Sequence, residues 1–508
     1  MSVRRVMGIE TEYGVTLAGQ PGADPVLLSG QVVRSYTATA GPARALPTGS
    51  GWDYADETPL RDARGYTVAR ALAHVSQLTD EDDPAVANSV LSNGARLYVD
   101  HAHPEYSSPE VLTPRQAVTW DRAGELVMAQ AAQALAAQGR PVRLYKNNVD
   151  GKGASYGTHE NYLVPRSVPF EALVRGLLPF FATRQVVTGA GRVGLGEASE
   201  RPGFQLSQRA DYIEAEVGLE TTLRRPLVNT RDEPHASADR YRRLHVIIGD
   251  ANVGDVATLL KTGLTSLVLR LVEAGRAPDV DLADPVAAVR AVSHDPALQL
   301  KLELRDGRRM TALDVLAAYR EAVGAALDAG VPGFEDDEDT REVLELWDEV
   351  TGRLAADPMG CTGLLDWVTK YALLQGYRDR DGMGWEDPRL AAIDIQWSDV
   401  DPARGLGVRM RAAGRLRSLV AEEAVRAAVT DPPDDTRAFF RGRCVSRYAG
   451  QVRAASWDSV VFAAGPAGGL RRVELPEPLL GTRATHGDLL AGAADPEALL
   501  AALADTAG

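Results

Sequence analysis

Between Asn93 and Tyr106 the chain reads Asn-Gly-Ala-Arg-Leu-Tyr-Val-Asp-His-Ala-His-Pro-Glu-Tyr, a stretch dense in groups that move protons or hold cations. Read as a strand over 95–100, its side chains alternate. Ala95, Leu97 and Val99 face one way, and Arg96, Tyr98 and Asp100 the other. One face is apolar; the opposite face offers a guanidinium, a phenol and a carboxylate. Asn93-Gly94 is a turn signal that sets the start, and Pro104 is expected to end the strand after a short exit loop carrying Glu105. Alone, such a face reads as an Arg-Asp pair on a half-solvated sheet.

Other stretches of the same kind change that weighting. Residues 5–16 alternate, with Gly8, Glu10, Glu12 and Gly14 on one face and Ile9, Thr11, Tyr13 and Val15 on the other. Two carboxylates flanked by glycines leave an open acidic shelf. It suits a hard cation such as Mg²⁺, which wants oxygen ligands and room for phosphate or water; a solvated edge strand is the alternative. A turn-rich loop from Lys146 leads into a strand that puts His159 and Asn161 on one face. The polar turn Asn229–His235 leads into a strand where Tyr241, Arg243 and His245 share a face opposite Arg242, Leu244 and Val246. Arginine forks onto phosphate, and neutral imidazole is a common metal ligand.

These residues need elements to bring them together. With a strand expected over Phe204–Glu216 around Gln208 and Arg209, at least five polar-faced strands alternate with turns and helices. The class is mixed α+β, with one concave sheet face able to hold a Mg-nucleotide on the Glu and His shelf and an acyl substrate near Asp100. Helices are expected from Pro114 to Gln138, with Thr113 as cap and Gly139 as stop, and over 170–185, 253–273, 312–329 and 341–355. The glycine string 189–196 lacks the strand-turn-helix setting of a dinucleotide fingerprint. Trp367 and Trp397 read as core. Residues 38–83 read as a long irregular loop, a lid or an insert. Thr430–Thr436, rich in Pro and Asp, divides a catalytic domain, 1–430, from a small C-terminal domain, 431–508, with strands over 455–462 and 470–475.

Composition bounds the partners. A net charge of -15 over 508 residues argues against holding nucleic acid by bulk electrostatics. No run approaches the roughly 18 apolar residues of a membrane span, and Met1 leads straight into a charged segment with no apolar signal region. Two distant cysteines, Cys361 and Cys444, give neither a disulfide framework nor metal-ligand spacing. The expectation is a soluble cytoplasmic protein that meets anions with local Arg and Lys.

Ile9–Gly14, Asn93–Tyr106, Lys146–Asp150, Ser155–Tyr162 and Asn229–His235 through His245 together resemble the Pup ligase and Pup deamidase family, over nearly the whole chain. The resemblance implies a glutamine synthetase-like α+β fold, a curved antiparallel sheet backed by helices, with ATP and Mg²⁺ as cofactors and Pup and pupylated proteins as partners. It implies Glu10, Tyr98, Glu105, His159 and His245 as metal ligands, Arg96, Ser108, Arg243 and Trp457 against ATP, and Asp100 as the catalytic carboxylate, either nucleophile or base. Arg209 or Arg231 would stabilise an oxyanion. Asp100-His-Ala-His-Pro and the insert over 52–65 are similar to the deamidase and depupylase branch. The ligase branch has a longer Asp-Val-Gly-Ser-His-Pro. The implied activity is deamidation of the C-terminal Gln of Pup and hydrolysis of the Pup-lysine isopeptide bond; the alternatives are a Pup-protein ligase or a non-catalytic nucleotide-binding regulator. Pup is acidic in most lineages, so a local basic groove of Arg209, Arg240 and Arg242 is expected.

Overall fold

The alternation in the motif strands is used in full. In the computed structural model, which describes residues 2–48, 51–55, 57–73, 87–464 and 469–507, six strands form one sheet. They are β1 (Met7–Glu12), β2 (Asn88–Val90), β3 (Arg96–Asp100), β4 (His103–Ser107), β5 (Thr158–Pro165) and β6 (Tyr241–Val246). The spatial order is β6-β5-β1-β4-β3-β2, and every pairing is antiparallel.

The apolar face of this sheet is covered in two halves. Met7 and Ile9 of β1, Tyr162 and Val164 of β5, and Leu244 and Val246 of β6 pack into a core with α3 (Phe170–Thr183) and α4 (Asp255–Glu273), to which α5 (Ala312–Asp328) and α6 (Glu338–Ala356) add a further layer. Leu97 and Val99 of β3 and Tyr106 of β4 pack instead with α1 (Pro25–Ala40) and α2 (Pro114–Ala137). Leu97 is fully buried there, an environment worth about 2 kcal/mol for such a side chain. Trp367 and Trp397 are core residues, as expected. Thr113 caps α2 in a capping box with Gln116, and Pro114 opens the helix, as the sequence predicts. No described helix is long and apolar enough to cross a membrane.

Several expectations are corrected. Residues 5–16 are not one strand: β1 stops at Glu12, and Gly14–Leu17 joins a separate ladder with Val142–Tyr145. Between them Tyr13 is fully buried and gives its N–H to Pro104 O (3.0 Å). Pro104 does not end the motif strand but lies inside β4, opposite Val99. Val99 N–H points away to Ala87 O (3.0 Å), so this is a non-bonded pair of the ladder and proline's missing donor is not needed there. The segment 204–216 is not one strand and does not join the sheet. Asp250 accepts from Gln208 N–H (2.9 Å) and the Ser207 hydroxyl (2.9 Å), which holds a turn between Arg201–Gln205 and Ile213–Gly218. Residues 455–462 bend at Ser456–Asp458 into a hairpin of Val452–Ala455 and Ser459–Ala463.

The insert is more ordered than its composition suggests. Residues 38–40 belong to α1, whose start at Asp24-Pro25 drew no expectation although Asp24 accepts from the Val26 and Leu27 N–H groups. Gly51–Trp52 adds in parallel to Val452–Ala455, and Arg61–Asp62 pairs with Tyr66–Thr67. Asp62 is buried under Arg64 and the Thr230 hydroxyl (2.7 Å). Residues 74–86 lie outside the described residues. Gly51–Trp52 depends on a partner some four hundred residues away and Arg61–Asp62 is only two residues long, so no local period announces either.

Beyond Thr430, α7 (Ala438–Tyr448) and the following strands pack around a cluster that also takes Leu46, Trp52 and Val90 from the first part of the chain. Arg437 and Arg441 both clamp the Glu110 carboxylate, Arg437 Nε at 2.8 Å. The C-terminal segment is thereby fastened three residues past the end of β4.

Candidate active site

The sheet register builds the site in two rows. Across β5, β1, β4 and β3, His159, Glu10, Ser107 and Arg96 stand opposite one another in turn. One pleat further, Glu12, Glu105, Tyr98 and Asn88 do the same across β1, β4, β3 and β2. Neighbouring strands lie about 4.8 Å apart, so each row is a line of touching side chains. His245 on β6 faces Asn161 on β5, and Asp100 faces His103 at the hairpin end.

Two donor clusters result. Glu10, His159 and His245 bring one ligand atom each to within 4.8 Å of one another, and so do Glu12, Asp100 and Glu105. Glu12 was seen in the sequence as part of the shelf but not singled out as a ligand; its pairing with Glu105 is a tertiary fact. Like charges directly opposite in a ladder repel. Gly157 gives its N–H to Glu12 Oε1 (2.6 Å), and a side chain at Gly157 would collide with His159.

The electrostatics favour cations here. Burial pushes the Glu105 carboxyl well above the usual range, and the negative charges of Asp100, Glu10 and Glu12 push it further, against the Tyr98 hydrogen bond (2.6 Å). Burial raises Glu10 too, but the His159 contact and the Arg243 charge outweigh it and leave Glu10 below the usual range. Asp100 is likewise held low: burial opposes ionisation, and His101, with Nδ1 2.9 Å from Oδ1, overcomes it together with His159 and Arg231. Burial and Arg243 keep His245 well below the ordinary imidazole value, so it is neutral and free to ligate. The three-carboxylate cluster fits Mg²⁺, and the mixed Glu and His set also admits Mn²⁺.

Above these rows lies a cavity of about 290 Å³. Glu10, Tyr98, Glu105, His159 and His245 line it, and so do Asp100, Arg96, Arg231, Arg243 and Trp457. Ser108 lines an adjoining, more apolar cleft of about 80 Å³ that shares Glu10, Arg243 and Trp457; its hydroxyl accepts the Ile9 N–H (3.0 Å). Arg96 lies 4.0 Å over the Trp52 ring and 3.9 Å over Tyr98. Arg243 donates to Asn161 Oδ1 (2.8 Å) and to Glu233 O (2.8 Å). Arg209 lines neither space: it is buried, gives its guanidinium to Tyr156 O, and is pushed down to about 9 by burial. Nor do Arg209, Arg240 and Arg242 form the expected basic groove. Arg242 is buried against Phe170 on the opposite sheet face and Arg240 pairs with Glu477 (2.7 Å).

Some lining residues carried no sequence expectation. Tyr54, Glu57 and Pro59 come from the insert, which Glu233 ties down by accepting Thr58 N–H (2.7 Å). Glu233 and His235 lie in the polar turn already noted, where a functional role was legible only as a motif.

An antiparallel sheet with helices behind it and two cation-donor rows before it defines a glutamine synthetase-like protein. The match to solved structures agrees: the complex between the prokaryotic ubiquitin-like protein Pup and its ligase PafA aligns with a TM-score of 0.77, 32% identity, over 96% of this chain and 92% of that one. The ligase PafA in complex with ADP aligns at 0.71, 35% identity, over 80% and 89%. A family model described as Pup-ligase protein matches residues 5–461, and the chain belongs to that family. It is 53% identical over 504 residues, 99% of both chains, to a protein of Acidothermus cellulolyticus named Depupylase. It is 51% identical over 495 residues, 96% of both, to one of Mycobacterium tuberculosis named Pup deamidase/depupylase.

Proposed function

We propose that this protein is a hydrolase that converts the C-terminal Gln of Pup to Glu and cleaves Pup from target lysines, with Mg-ATP as a bound cofactor. One observation carries the reading. Asp100 is the most open of the three clustered carboxylates, its side chain 27% exposed against 9% for Glu12, and it enters the same cavity as Glu10, Glu105 and His245. Both reactions break an amide at the same kind of side-chain carbonyl, water adding while ammonia or a lysine amine leaves, so one carboxylate serves both.

Within this scheme Asp100 acts on the amide carbonyl or on the attacking water, kept ionised by His101 and Arg231. Arg231, at the cavity wall, stabilises the developing oxyanion. Glu10, Glu105, His159 and His245 would hold the cations, and Tyr98 acts through Glu105, whose carboxylate accepts the phenol's hydrogen bond (2.6 Å). Arg96, Arg243, Ser108 and Trp457 would hold the nucleotide. When bound there, Mg²⁺ would supply positive charge beside the clustered carboxylates and polarise the amide carbonyl. Both cysteines are buried thiols, which suits work in a reducing cytoplasm.

The test is mass spectrometry of Pup ending in Gln after incubation with the protein and Mg-ATP, with no lysine acceptor. An amide-to-acid mass change, and cleavage of a Pup-lysine conjugate, are expected; both should vanish in Asp100→Asn. An unchanged mass for Pup ending in Gln, together with ATP-dependent joining of Pup ending in Glu to an added lysine substrate, would overturn the reading in favour of a ligase.

A further inference from the structure

The hairpin that carries Asp100 is unusual at its tip. Asp100 and His103 are its last pair, leaving His101 and Ala102 as a two-residue turn. Such turns require a positive φ at the first central position, and His101 has φ 52°. Glycine or asparagine adopts this conformation with least strain, so turn formation alone does not call for a histidine. The tip is also fixed in place, because the Ser29 hydroxyl of α1 donates to Ala102 O (2.8 Å). The strained backbone brings the imidazole back over its neighbour: His101 Nδ1 lies 2.9 Å from Asp100 Oδ1, and His101 lines the same cavity.

The geometry points to His101 as a positioning residue for the Asp100 carboxylate. Its Nδ1–H holds one carboxylate oxygen and fixes the rotamer, which leaves the other oxygen directed at the amide. The neutral Nδ1–H tautomer is sufficient for this, so no proton transfer to or from the ring is required. The inference rests on the proposed hydrolase reading for its kinetic consequence, but its structural consequence stands without it.

Three substitutions separate the roles. In Asn the side-chain nitrogen is bonded to Cγ as Nδ1 is in His, and Asn accepts positive φ; in Gln the nitrogen lies one atom further out, nearer to Nε2. His101→Gly should fold normally, keep KM for Pup ending in Gln, and lose about 10- to 100-fold in kcat, the usual scale for a group that orients a functional side chain. His101→Asn should restore most of that loss, and His101→Gln should not. Wild-type kcat in His101→Gly, or rescue by Gln and not by Asn, would overturn the assignment. A second measurement needs no turnover. With ¹⁵N-labelled histidine, His101 should show the Nδ1–H tautomer in the wild type and revert to the Nε2–H tautomer in Asp100→Ala. An unchanged tautomer refutes the contact. If the wild type acted on neither Pup substrate, the proposed function would fall while the tautomer result still decided this inference.

Discussion

Glu105 and Glu110 lie five residues apart on one segment, both buried, and they behave in opposite ways. Glu110 sits between Arg437 and Arg441, and although burial opposes its charge, the two guanidinium groups hold it at about 2. Glu105 has Asp100, Glu10 and Glu12 around it and is pushed well above the usual range. Burial is common to both, so it does not decide protonation; the sign of the neighbours does. One glutamate is satisfied by the protein and fastens the C-terminal segment to the sheet. The other accepts only the neutral hydroxyls of Tyr98 (2.6 Å) and Ser107 (2.9 Å), with no Lys or Arg ion pair among the described residues.

The comparison can be broken most severely at the clamp. Glu110→Gln leaves Arg437 and Arg441 buried without their counter-charge, and a loss of about 3–5 kcal/mol is expected in denaturant unfolding. A smaller loss would mean that the clamp is not the joint. The pH dependence should follow with a definite sign. A folded value of about 2 against 4.5 when unfolded corresponds to about 3 kcal/mol. That stability is present above pH 4.5 and disappears as pH falls from 4.5 towards 2.

Glu105 should show the reverse slope. Its raised value makes the metal-free protein lose stability as pH rises above 4.5, because the unfolded chain ionises first. Saturating Mg²⁺ should remove that slope and add about 2–3 kcal/mol at a hundredfold excess over Kd. Glu105→Gln should leave metal-free stability intact or improved while abolishing the Mg²⁺-induced rise in Tm. Equal Mg²⁺ responses in wild type and Glu105→Gln would show that the row is not a cation site.

The smallest effect is expected at Tyr98. Tyr98→Phe removes one hydrogen bond to Glu105, for about 1 kcal/mol of stability. If the phenol acts only through Glu105, Mg²⁺ affinity should fall modestly; complete loss of Mg²⁺ binding would instead make it a direct ligand.

Much of the site was legible in the chain because a strand has a period of two. Arg96, Tyr98 and Asp100 share a face for the same reason that Leu97 and Val99 are buried, and the same holds for Glu10 with Glu12 and for Arg243 with His245. The α2 helix was readable from its Thr-Pro start, and the capping box with Gln116 was added by the structure. Other parts were not. Pro104 looked like a stop because a missing N–H matters only when the ladder asks for it, and which positions are asked depends on the partner strand. Gln208 and Arg209 looked like a strand because nothing local reveals Asp250, which pins the turn. Arg209 and Arg242 seemed available to a substrate, yet a charged residue in sequence carries no sign of the carbonyl or ring that will bury it.

By itself, then, the sequence determined which side chains share a face of each strand, since that follows from local backbone geometry. Only the tertiary structure decided the register that sets Glu12 against Glu105 and the strand order that brings His245 and Asp100 to one cavity. Those are choices of pairing between distant segments, Met7 opposite Tyr162 and Asn161 opposite His245 among them, and they are made by burial of the opposite face in two helical cores.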